Sequence, residues 1–97
     1  MTIESLIDSR EVLYFVKQEG CEACAEAEPE LAKFETKHPT VMILRIDANG
    51  PFPARLGLKL RATPTYLFRR GTEAVAKVGM LKVAEIEKWM KSLGGAL

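Results

Sequence analysis

The sequence predicts an α/β domain, a mixed four-stranded sheet with helices on both faces. Three observations lead there. A β-rich apolar run at 12–16 is followed by a stretch, 21–37, whose apolar residues recur at helical spacing. A second β-rich run follows at 41–46. Strand, helix and strand in that order make a βαβ unit with parallel strands. Two further strands, at 65–68 and 73–78, flank Arg69-Arg70-Gly71 as a hairpin, and an amphipathic helix ends the chain.

Taken in order, Ile3, Leu6 and Ile7 fall at helical spacing behind Thr2, a short amphipathic helix with a cap. Val12-Leu13-Tyr14-Phe15-Val16 has no polar alternation, as a strand buried on both faces requires. Residues 17–20 form the loop into the helix. Along that helix Cys24, Ala27, Leu31 and Phe34 share one face, and Glu26, Glu30, Lys33 and Lys37 occupy the others. Pro29 removes an internal N–H and should kink it; His38-Pro39 ends it. Asp47-Ala48-Asn49-Gly50-Pro51 is loop chemistry. Residues 52–60 can supply one or two helical turns. Thr63-Pro64 leads the third strand, and Gly79 ends the fourth. Val83, Ile86, Met90 and Leu93 define the final helix, closed by Gly94-Gly95.

The 97 residues make one domain, 1–97, and a 47% hydrophobic share is enough for a real core. Charges of both signs are mixed to a net +1, with no basic stripe of the kind that nucleic acid needs. No apolar run approaches the roughly 20 residues of a membrane span. The start, Met1-Thr2-Ile3-Glu4-Ser5, carries an acid where a signal peptide carries bases. The expectation is a cytoplasmic monomer with neither nucleic-acid nor membrane partners.

The chain's only two cysteines stand in Gly20-Cys21-Glu22-Ala23-Cys24. At this spacing on a helix start, the first sulfur lies at the exposed end and the second one turn inside. Free backbone N–H groups and the positive end of the macrodipole favour thiolate at the first. One sulfur can attack and the other resolve. The same spacing is half a zinc site, which needs two more ligands. There is no third Cys, and the single His, His38, reads as a solvated residue in a helix's last turn. A structural disulfide is the other alternative, but it closes a very short loop and stabilises little.

From about Val12 to Leu93 the pattern resembles the thioredoxin family. The resemblance rests on Cys21-x-x-Cys24 at a strand-to-helix junction and on Pro29, five residues after the second cysteine. It rests also on Ile46-Asp47 before an Asn-Gly-Pro loop, and on Thr63-Pro64-Thr65 leading a strand that ends in Phe68-Arg69-Arg70-Gly71, with Lys77-Val78-Gly79 after it. It implies that Pro64 is cis and faces the dithiol, and that Thr63 offers its backbone to an extended substrate. It implies that Gly79 and Met80 border the same groove. With Gly20, Glu22 and Ala23 around the sulfurs, these make up the expected substrate-binding surface. Cys21 and Cys24 are the implied catalytic pair, nucleophile and resolver.

The chain departs from the family in four places. The usual Trp before the first cysteine is Gly20, and the usual Gly-Pro between the cysteines is Glu22-Ala23. The buried Asp below the dithiol aligns with Phe15, and the Lys that often accompanies it with Ile43. The chain before Cys21 is also short, so the first of the family's five strands is expected to be missing. Proton transfer from Cys24 then falls to water or another carboxylate, with Glu22 one candidate.

The expected activity is thiol–disulfide exchange that reduces protein disulfides, without an organic cofactor or metal, the dithiol being recycled by an external reductase or dithiol. A redox-inactive binding module and a metal-binding C-x-x-C protein are the alternatives. Glu19, Glu22, Glu26 and Glu28 flank the dithiol. Glu22, between the sulfurs, opposes a second negative charge at Cys21, which favours a reductant over an oxidant.

Overall fold

The computed structural model describes residues 11–51, 60–95 and 97. The strands are β1 (Glu11–Lys17), β2 (Met42–Asp47), β3 (Thr65–Arg70) and β4 (Glu73–Val78). The helices are α1 (Glu22–Lys37) and α2 (Val83–Ser92). The sheet order is β2-β1-β3-β4. β1 runs parallel to β2 and antiparallel to β3, and β3 and β4 form the hairpin. The short helix expected near Ile3–Ile7 and the turns expected at 52–59 lie outside the described residues.

Because β1 is central, its side chains are buried on both sides, as the unbroken apolar run requires. Leu13 and Phe15 face one layer with Ala27, Leu31 and Phe34 of α1 and Ile86 and Met90 of α2. Val12, Tyr14 and Val16 face the other, where Ile46 and Leu67 join them and Leu60 packs alongside. Both described helices thus cover one face; the helical cover expected on the second falls on residues outside the described ones. All four residues of the predicted α1 face are buried.

At Arg69–Arg70 and at His38 the structure differs from the sequence reading. Arg69 and Arg70 belong to β3, and the chain turns at Gly71, which has φ +60. Arg70 is held in the strand by Glu11 across β1, at 3.3 Å, and by the Leu93 carbonyl, to which it donates at 2.9 Å. β2 is apolar in sequence yet leaves Met42 and Leu44 exposed, at 38% and 40%, because among the described residues it is an edge strand. His38 is not a solvated residue. It caps α1, its ring centroid lies 4.7 Å from that of Phe34, and its Nε2 lies 2.8 Å from Glu87 Oε2.

Glu87 therefore joins the end of α1 to α2, with Lys37 Nζ 3.0 Å away. Midway along α1, Glu30 accepts the Val83 N–H at 3.3 Å and so satisfies a free donor at the start of α2. The Glu87 carboxyl is held below the usual carboxylate range, first by its hydrogen bond with His38 and then by Lys37. A depressed carboxyl contributes stability that is present above its unfolded value and is lost as the pH falls through its folded value. Glu87→Gln should melt below wild type at pH 6. That gap should narrow as the pH drops below about 4.3, the ordinary Glu value. Thermal melts from pH 6 to pH 3 check this; a gap that stays constant contradicts it.

Candidate active site

The loop from β1 to α1 sets the cysteines. Gly20 has φ +77, a conformation that side-chain-bearing residues rarely adopt, and open space lies where a Cβ would be. Conformation, not crowding, therefore selects glycine here, and a tryptophan at this position would be strained. Cys21 is the N-cap of α1, with extended backbone, and its Sγ accepts the Cys24 N–H at 3.1 Å. This sulfur fills the capping role that a Ser or Asp oxygen usually has. Cys21 is half-buried, while Cys24 is 5% exposed, on the face that carries Ala27 and Leu31. The two form a disulfide with Cα atoms 5.2 Å apart.

Opposite the disulfide, the Thr63 carbonyl oxygen lies 3.5 Å from Cys21 Sγ. The Thr63–Pro64 peptide bond is cis, and Pro64 is fully buried. Two contacts fix this corner. Thr65 Oγ1 donates to the Ala62 carbonyl at 2.7 Å, and the Gly79 N–H donates to the Pro64 carbonyl at 2.9 Å. The second brings Gly79, with φ +107, beside the Thr63–Pro64 corner. Met80 is half-buried and packs against the larger core cluster. Ala23 is half-buried and Glu22 exposed, in the first turn of α1.

A groove of about 430 Å³ is lined by Gly20, Cys21, Cys24, Glu28 and Asp47, with Lys17 and Glu19 also contributing. Thr63 lines a second groove, of about 210 Å³, with Gln18 and Arg61. The expected carboxylate, Glu22, is not among the residues lining the first groove; Glu28 is. The one signal for it in the sequence is its i+4 spacing from Cys24, which puts both on one side of a helix. Glu28 Oε1 pairs with Arg45 Nε, whose Nη1 and Nη2 each donate to Glu35 at 3.3 Å. Phe15, where the resembled family has its buried acid, is 0% exposed and its ring centroid lies 5.2 Å from that of Tyr66.

Solved structures share this arrangement of chain. Yeast mitochondrial thioredoxin 3 superposes with a TM-score of 0.75 at 19% identity, over 92% of this chain and 85% of that one. Fasciola hepatica thioredoxin gives 0.74 at 18% identity, over 93% and 89%. The Drosophila germline-specific thioredoxin Deadhead gives 0.73 at 20% identity, over 92% and 86%. The chain has the thioredoxin fold. No protein-family model and no curated protein matches the sequence. On the thioredoxin fold of this chain, the C-x-x-C disulfide sits at the C-terminal end of β1, beside the end of its parallel neighbour β2. Open α/β sheets carry their sites at such strand ends.

Proposed function

We propose that the chain is a thiol–disulfide oxidoreductase that reduces disulfides of proteins. One observation carries this reading: a Cys21–Cys24 disulfide at the start of α1, with Cys21 half-buried, Cys24 buried, and the Cys21 sulfur receiving the Cys24 N–H. When the pair is reduced, that N–H and the helix end favour negative charge on Cys21. Cys21 thiolate attacks one sulfur of a substrate disulfide and expels the other as thiolate. Cys24, as thiolate, then attacks Cys21 Sγ. The internal disulfide forms, the second substrate thiolate leaves, and two electrons have passed to the substrate.

The Thr63 carbonyl beside Cys21 supports a role for Thr63 in aligning an extended substrate segment, with Pro64 and Gly79 holding the corner. Gly20, Glu22, Ala23 and Met80 complete this proposed surface. Glu22, exposed one residue from Cys21, opposes the thiolate by like charge and favours the donor direction. The two sulfurs hold the electrons themselves, so the reaction calls for no organic cofactor. It requires an external reductase or dithiol, and it suits a monomer in the cytoplasm, where thiols are kept reduced.

Insulin reduction in dithiothreitol tests this reading. The protein should accelerate precipitation of the insulin B chain well beyond dithiothreitol alone. A rate equal to that of dithiothreitol alone contradicts it and leaves a binding module. Stoichiometric zinc retained by the reduced protein would point to the metal-binding alternative.

A further inference from the structure

Resting on the thiol–disulfide reading above, we propose that Glu28 is the proton acceptor for Cys24 in the resolving step. Where the resembled family carries its buried acid, β1 has Phe15, whose ring is in the core. Glu28 lies one helical turn beyond Cys24, and both line the same groove. Its two oxygens differ. Oε1 is tied to Arg45, which Glu35 holds from the other side. Oε2 is buried and has no hydrogen-bond partner. A buried carboxylate oxygen without a partner costs stability and calls for an explanation, and a proton-accepting role supplies one.

The other charged groups of the groove suit the role less. Lys17 carries no carboxylate. Neither Glu19 nor Asp47 has a buried, unpartnered carboxylate oxygen, and Asp47 Oδ1 accepts the Asn49 N–H at 2.9 Å. Cys24 and Glu28 both line this groove of about 430 Å³. In the mixed disulfide Cys24 is a thiol. Its proton passes to Glu28 as Cys24 Sγ bonds to Cys21 Sγ. The bond from Cys21 to substrate breaks, the substrate leaves as thiolate, and Glu28 returns the proton to it or to solvent.

The test uses the reduced full chain, freed of reductant and mixed rapidly with 5,5′-dithiobis(2-nitrobenzoate). Attack by Cys21 releases the first thionitrobenzoate, in a phase that depends on reagent concentration. Attack by Cys24 on the mixed disulfide releases the second, in a phase that does not. Glu28→Gln keeps the size of the side chain and an acceptor for Arg45. It should slow the second phase by at least about tenfold at pH 7 and leave the first within about twofold. The deficit should shrink toward pH 9, as hydroxide takes over the role of the base, and added imidazole should speed the variant more than wild type. Glu28→Asp, which retains the carboxylate, should lie nearer wild type than Glu28→Gln does. An unchanged second phase, a deficit equal at pH 7 and pH 9, or the reverse order of the two variants overturns the assignment. If wild type itself shows no concentration-independent phase and carries two adducts by mass, the thiol–disulfide reading fails instead.

Discussion

Cys21→Ser should reduce insulin no faster than dithiothreitol alone, whereas Cys24→Ser should accumulate a mixed disulfide with the substrate. The asymmetry follows from burial. Cys21 is half-exposed at the helix cap beside the Thr63 carbonyl, and Cys24 is 5% exposed under the first turn. An incoming disulfide can reach only the first sulfur. Without Cys21 there is no nucleophile at the surface. Without Cys24 the first exchange proceeds but nothing displaces the product. Non-reducing mass spectrometry reads the adduct directly, and a stable adduct on Cys24 in the Cys21→Ser variant would reverse the roles.

Phe15→Ala should cost about 3–5 kcal/mol, the range for emptying a buried aromatic site. Phe15 is on the central strand, 0% exposed, between α1 and β3 and in ring contact with Tyr66. Its neighbours come from the sheet and from both described helices, which cannot close fully over the cavity. For a 97-residue domain the melting temperature should fall by more than about 10 °C. A loss below about 1 kcal/mol in chemical denaturation would mean that this side of β1 is not a packed core.

Both effects trace to residues that were legible in the sequence. The spacing of Cys24, Ala27, Leu31 and Phe34 predicts one buried helical face, and the structure buries all four. The unbroken run from Val12 to Val16 predicts a strand covered on both sides, and β1 is central. Local periodicity suffices there because each residue's fate depends on its own element. It fails where partners are distant. Glu28 meets Arg45 across 17 positions and His38 meets Glu87 across 49, and no spacing rule encodes such pairs. Edge position is equally hidden: Met42 and Leu44 belong to the apolar run 41–46 but lie on the outer strand among the described residues. The strand length of β3 was missed for the same reason, since Arg69 and Arg70 read as turn residues until Glu11 and the Leu93 carbonyl are placed beside Arg70.

The central claim is that two electrons leave Cys21 and Cys24 for a protein disulfide. Reduced chain, stripped of all small thiols, can be mixed anaerobically with insulin and quenched by alkylation. One insulin disulfide should be reduced for each Cys21–Cys24 disulfide formed, with both products seen by mass. Insulin left fully oxidised beside a chain still alkylated at both cysteines would contradict it.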